Sequence, residues 1–355
     1  MDTGNQGKSV CIIGAGLSGL ICGMRLSKAG FSVQIIEEMT YPGGLLFSSR
    51  IGKEYLELIP HHIRKTDKAL LQLSKELGIS DQIEWFDSSW HGKASRKKLG
   101  YYSDGFSTLI NSLIQSVIDN GGSISYGTTV TEIVKKDDKY VTVCVITNST
   151  QVKYTSDFVI FTGSCRSFVN SVYGLPLGIN VRDQLMNITY KTELCLMMVL
   201  KKRPSEVYFH WIGEGHPFSR IVNHSNCFGE RQYGGNVVYL VGECSISDPL
   251  WIESDAKIKD TFFASYRKIF PQITKTDIKA WRVTKIRYAV PRSYPDTDLT
   301  NPAENLYICA SALVSTVNEG TPVNRMDQVA SLADKISNAI ISKANDTTKN
   351  PSDDV

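Results

Sequence analysis

The stretch VCIIGAGLSGLICGMRLSKAGFSVQIIEEMTYPGG, from Val10 to Gly44, opens as an apolar strand that stops abruptly at glycine. Gly14, Gly16 and Gly19 form GxGxxG. The segment LSGLICGMRLSKAG follows at helical spacing with Gly30 just past its end, and FSVQIIEE is a second strand. In such a β–turn–α–β unit the first glycine makes the tight turn, the second lets backbone approach a pyrophosphate, and the third lets helix pack on strand. The phosphates then face the free N–H groups and positive dipole end of the helix. Glu37 closes the second strand 18 residues after Gly19, where a carboxylate accepts hydrogen bonds from ribose hydroxyls. With no arginine beside it, that carboxylate disfavours a 2′-phosphate.

Two further features separate FAD from NAD. Gly43 and Gly44 lie six and seven residues past Glu37 and offer a second close approach of backbone to a long, bent dinucleotide. The alternative use of this pair is a type II turn after Pro42. The second feature is discontinuity. A β-rich ribbon (SISYGTTVTEIVKKDD, KYVTVCVITNS, QVKYTSDFVIFTGS) ends in DFVIFTG, apolar enough to re-enter a buried sheet. A late strand and helix, NLYICAS and VNRMDQVASLADKISNAII, return to the same layer. A nucleotide-binding unit assembled from such distant segments favours FAD.

Other segments complete an α/β chain. TDKALLQLSKELGI is an amphipathic helix with Thr66 or Asp67 as N-cap and Gly78 as its stop; GFSTLINSLIQSVIDNGG is another. From about Ser171 to Lys285 alternating, aromatic-rich strands (YKTELCLMMVLKK, EVYFHWIG, NVVYLVGE) accompany one helix, ESDAKIKDTFFASYRKIF. This predicts a second unit, a mixed α+β sheet packed under a helix. The expected division is 8–60, 105–170 and 286–343 for the cofactor and 61–104 and 171–285 for the substrate, with 1–7 and 344–355 disordered.

Composition excludes several classes. The 355 residues are 42% hydrophobic and 21% charged, with a net charge of +3 and no basic block that would suit nucleic acid. MDTGNQGKS lacks the apolar core of a secretory signal, and no run of about 18 apolar residues exists to span a membrane. The eight cysteines fall in no CxxC or zinc spacing, which predicts free thiols in a reducing cytoplasm and no metal site.

The opening stretch, with Glu37 followed by Gly43 and Gly44, resembles the flavin amine oxidase and protoporphyrinogen oxidase superfamily, which includes phytoene desaturases and UDP-galactopyranose mutase. PGGLLFSS, LELIPHHIRKTDKALLQLSKELGISDQIEW, HPFSRIVNHSN, YGGNVVYLVGE, IRYAVPRSYP and NLYICASALVSTVNEGTPVNRMDQVASLADKI resemble a bacterial group of FAD-dependent oxidoreductases often associated with surface-polysaccharide genes. The resemblance implies a Rossmann-like FAD-binding domain of the GR2 type. It also implies cofactor contacts at Leu17, Ser18, Glu38, Leu45, Val130, Thr162, Gly163, Gly320, Thr321 and Val323, besides the glycines and Glu37.

Two departures stand out. Between Trp85 and Tyr101 only FDSSWHGKASRKKLG remains where relatives carry a longer helical insertion, so a smaller or more open cleft is expected, with Ser95 to Lys98 a solvated loop. Ala310 and Ser311 stand where many relatives have Gly-Asp or Gly-Glu. No cysteine occupies the C-terminal turn used by monoamine oxidases for a covalent link, so noncovalent FAD is expected.

Flavin carries the electron chemistry, so no strong catalytic motif is required. His61 and His62, in a segment that relatives place near the isoalloxazine ring, are the candidates for proton transfer or hydrogen bonding, His62 being preferred. Tyr102, His210, Trp211, His224, Arg287 and Tyr288 are candidate substrate contacts, each with packing or a surface ion pair as its alternative role. The expected activity is hydride removal from a small or glycan-linked substrate, with oxygen or another acceptor reoxidising the flavin. A redox-neutral mutase and a flavin-bearing accessory protein are the alternatives; the first lacks the arginine pair expected around a nucleotide-sugar pyrophosphate.

Overall fold

The computed structural model describes residues 7–51, 54–91, 93–146, 149–172, 177–229, 233–314 and 325–346. Strand β1 (Ser9–Ile13), helix α1 (Leu17–Lys28) and strand β2 (Ser32–Ile36) follow one another as the opening stretch predicts. β1 is the middle strand of a five-stranded parallel sheet, with β2 on one side and Phe158–Phe161 on the other. Ser123–Ser125 and Leu306–Ile308 are its edges. The parallel sheet is thus drawn from distant segments.

Burial on both faces explains why these strands read as apolar runs. Val10, Ile12, Val33 and Ile35 join a core with α1 and the helices Ser107–Asp119 and Arg325–Asp346. The alternate residues Cys11, Ile13 and Ile36 pack with Ile133, Tyr140 and Cys144 of an antiparallel ribbon, Thr128–Lys136, Lys139–Ile146 and Gln151–Ser156. Asp157 joins ribbon to sheet by accepting from Ser9 N at 2.8 Å and Ser9 Oγ at 2.7 Å.

The second sheet has eight strands and mixed directions. Tyr190–Leu200 lies between Ile278–Pro291 and Asn236–Cys244. Its even-numbered residues Leu194, Leu196, Met198 and Leu200 face the helix Asp255–Ile269 through Ile258, Phe262, Phe263 and Tyr266. Its odd-numbered Cys195, Met197 and Val199 join the core shared with α1. Each such apolar side chain contributes about 1.5–3 kcal/mol on burial, so the strand joins that helix to the core under the parallel sheet.

Three expectations are corrected. Ser95 to Lys98 lie within the strand Lys93–Tyr102, which pairs antiparallel with Ile83–Trp90 and joins the mixed sheet. Buried Leu99, Tyr101 and Tyr102 anchor that hairpin despite its charged sequence. Strand Ile278–Pro291 runs unbroken across the boundary expected between 285 and 286, putting Arg287 and Tyr288 in the mixed sheet. Finally, the last helix continues to Asp346, because Ala333, Ile336, Ile340 and Ala344 extend one buried stripe at three- and four-residue spacing. The remaining terminal residues, 1–6 and 347–355, lie outside the described residues.

Candidate active site between the two sheets

The site starts at the first glycine turn. Gly14 has φ +105°, and its N–H donates to Ile36 O at 2.7 Å. A Cβ on Gly14 would meet Thr162 Oγ1 at 2.3 Å, and one on Gly19 would meet Gly14 O at 1.9 Å. Glycine is therefore required at both positions, for strand–strand and helix–strand approach. Gly16 differs: the nearest atom to an added Cβ is Gly44 Cα at 4.0 Å. Gly16 and Gly43 form a parallel bridge, and Gly43 N–H donates to Ala15 O at 2.9 Å. The two glycine elements stack into one backbone cradle.

Glu37 closes the cradle from beneath. Its carboxylate accepts from Ala15 N at 2.7 Å and Met39 N at 2.9 Å. Burial raises its pKa, opposed by those amide hydrogen bonds. A carboxylate has about four acceptor positions, so capacity remains for ribose hydroxyls. Glu38 is exposed. Gly127 and Thr128 donate to Met39 O and Glu37 O, which brings the start of the ribbon, and with it half-buried Val130, to this end.

The carboxyl ends of β1, β2 and Phe158–Phe161 all open on the same edge, where the chain order reverses across β1; such a switch point is the usual ligand crevice of a doubly wound sheet. A cavity of about 450 Å³ begins there. Gly16, Leu17, Ser18, Gly43 to Leu46 and Thr162 to Ser164 line one side, and Ile59, Pro60 and His61 the middle. Tyr190, Glu193, Arg220, Val241 and Tyr288 of the mixed sheet line the other side. These residues fit a dinucleotide. The N-terminus of α1 carries neither a side-chain cap nor an acidic first turn, and the Gly16 surface admits a close ligand. Ser311 reaches the cavity, while Ala310 is buried behind it.

His61, rather than the preferred His62, lines this cavity. Its Nε2 lies 3.0 Å from Leu45 O. Because a carbonyl only accepts, Nε2 carries the proton and Nδ1 is the acceptor. Burial lowers its pKa to about 4, so the ring is neutral at pH 7. His62 lies within electrostatic reach of His224.

Glu193 and Arg220, which sequence reading missed, form an ion pair in the cavity wall. Among the described residues Arg220 Nε is buried with no hydrogen-bond partner, an expensive state that a ligand acceptor would relieve. A lone carboxylate inside the apolar run YKTELCLMMVL was the available signal.

Other candidates are not brought to the cavity. Tyr102 is fully buried, with its hydroxyl 2.6 Å from Ser74 Oγ. His210 stacks against His91 at 5.5 Å, and Trp211 is largely exposed at the same strand. His224 is buried among Tyr101, Phe228 and Tyr233, and burial, aided by nearby His62, lowers its pKa to about 3. Tyr101 donates to the buried carboxylate of Glu57 at 2.5 Å. Arg287 lies in an adjoining cleft. Gly320, Thr321 and Val323 lie outside the described residues.

Residues 12–77 match the NAD(P)-binding Rossmann-like domain, and residues 85–319 match the flavin containing amine oxidoreductase family. No curated protein matches the chain in sequence. A provisionally named protoporphyrinogen oxidase from Exiguobacterium sp. 255-15 is similar in structure, with a TM-score of 0.77 at 12% identity over 95% of this chain and 99% of that one. A putrescine oxidase variant gives 0.73 at 12% identity over 95% and 99%. An oxidoreductase from Methanosarcina mazei gives 0.67 at 12% identity over 93% and 100%. These likenesses agree with the fold of two sheets about one cavity. With two thirds of its length matched, the chain belongs to the flavin-containing amine oxidoreductase family, whose members are FAD-dependent enzymes.

Proposed function

We propose that the protein binds FAD noncovalently along the glycine cradle and removes a hydride from a C–N, C–C or C–O bond of a small or glycan-linked substrate. The observation that carries this reading is the continuity of one cavity, from the uncapped start of α1 to the polar and aromatic patch of the mixed sheet. On this reading the parallel sheet is the cofactor side and the mixed sheet the substrate side, divided along Ile278–Pro291 rather than within it.

The amides of Leu17 and Ser18 would hold the phosphates, Glu37 the ribose, and Thr162, Gly163 and Leu45 would flank the chain. When bound, FAD accepts the hydride and passes the electrons to oxygen or another acceptor. The remaining work belongs to the protein. His61, fixed by Leu45 O and neutral at pH 7, presents an acceptor at Nδ1 rather than a proton. Tyr190 and Tyr288, with ring centroids 5.1 Å apart, form an aromatic wall. Arg220, held by Glu193, supplies a donor that orients a polar substrate group.

Anaerobic mixing of the purified flavoprotein with amines, sugars and porphyrin-like compounds tests this. Bleaching of the flavin absorbance by one class, and its return on admitting oxygen or another acceptor, is the expected result. A flavin that no class bleaches, but that supports turnover only after prior chemical reduction and with no net electron consumption, overturns the oxidative reading in favour of a mutase.

A further inference from the structure

A second cleft, of about 530 Å³, opens beside the cavity and shares Tyr190 and Tyr288 with it. Its rim carries three guanidinium groups from separate segments, an arginine cluster that the sequence was expected to lack and that only the fold assembles. Arg166 lies in the first turn of the helix Cys165–Ser171, Arg287 lies on Ile278–Pro291, and Arg292 follows that strand. All three are exposed, and none pairs with a carboxylate among the described residues. Arg166 Nε donates to Met186 O at 3.2 Å, and Arg287 lies 5.5 Å from the Tyr288 ring centroid. The single carboxylate lining the cleft among the described residues, Glu243, is already neutralised by Lys191 at 2.6 Å.

Three like charges converging on one concave surface repel one another and raise the local concentration of anions. Their donors outnumber the roughly four acceptor positions of one carboxylate, whereas a phosphate or diphosphate matches both their number and their charge. The Tyr190–Tyr288 wall separates this surface from the cofactor cavity by one aromatic pair.

We infer that the Arg166–Arg287–Arg292 cleft binds the phosphate or diphosphate group of the substrate, whose uncharged end passes the Tyr190–Tyr288 wall toward the cofactor. That this anion is the substrate's own rests on the flavin reading above; the anion site itself does not.

The test is titration calorimetry of the protein as purified with inorganic pyrophosphate at constant ionic strength, after its flavin content has been measured. Saturable binding is expected, weakened at least about tenfold in Arg287→Ser/Arg292→Ser, the loss of charge-assisted hydrogen bonds. Binding within twofold of the parent is expected in Lys275→Ser, which removes an exposed charge elsewhere. Equal weakening in Lys275→Ser, or binding that ignores the double substitution in a folded flavoprotein, overturns the cleft and leaves the flavin reading intact. A protein that takes up no added FAD yet still binds pyrophosphate through these arginines supports the anion site and contradicts the flavin reading instead.

Discussion

Gly16 and Gly19 lie three residues apart, yet an added methyl group meets opposite fates at the two positions. At Gly19 it would lie 1.9 Å from Gly14 O, against backbone that cannot yield; at Gly16 nothing is nearer than 4.0 Å. Gly19→Ala should therefore lower stability by about 1–3 kcal/mol, read as a fall in thermal midpoint with or without FAD. Gly16→Ala should leave the midpoint of the FAD-free protein unchanged while weakening FAD binding by about tenfold or more, measured by fluorescence titration. Equal effects of the two substitutions would contradict the cradle.

His224 makes a second prediction at this scale. Burial depresses its pKa to about 3 and that of His61 to about 4. The unfolded chain, with ordinary histidines near 6.5, thus binds more protons than the folded one below that pH. The stability conferred by each neutral ring is complete above 6.5 and is lost as pH falls toward the folded value, at up to about 1.4 kcal/mol per pH unit per histidine. Buried Glu37 and Glu57, with raised pKa values, act in the opposite sense. His224→Phe keeps an aromatic ring among Tyr101, Phe228 and Tyr233 and should flatten the slope between pH 6.5 and 5, measured by denaturant melts. An unchanged slope would mean that His224 titrates normally.

At the scale of elements, the Ile83–Trp90 and Lys93–Tyr102 hairpin shows what the sequence conceals. Its second strand carries SRKK, which reads as a solvated loop, and only the buried Leu99, Tyr101 and Tyr102 disclose its attachment. Leu99→Ala should cost about 2–5 kcal/mol in a melt, whereas a true loop position would tolerate it. The β1–α1–β2 unit was legible because everything that specifies it is local: three glycines, one helix face and Glu37. The ribbon and its return at Phe158–Phe161 were legible from alternation followed by a continuous apolar run. Glu193 and Arg220 were not, since they meet only through the register of their two strands on Asn236–Cys244, Glu193 opposite Glu243 and Arg220 opposite Val241. The choice between adjacent His61 and His62 likewise depends on which residue the fold turns toward the cavity, and no local pattern sets it. Asp67 is the N-cap, as expected, but its carboxylate accepts from Arg64 N at 2.7 Å and not from the first turn of the helix.

For the whole molecule, two sheets meet across a cavity that the cofactor is proposed to fill, so folding and FAD binding should be linked. FAD at one hundred times its dissociation constant would stabilise the folded state by about 2.7 kcal/mol. Stripping it should lower the thermal midpoint by several degrees and adding it back should restore that loss, whereas NAD added at the same concentration should not. The central claim is that the cradle of Gly14, Gly16, Gly43 and Gly44 holds FAD. The visible absorption spectrum of freshly purified protein, followed by denaturation and identification of the released chromophore, tests it most directly. Two flavin bands and free FAD, close to one per chain, are the predicted result. A colourless protein that also takes up no added FAD would contradict the account.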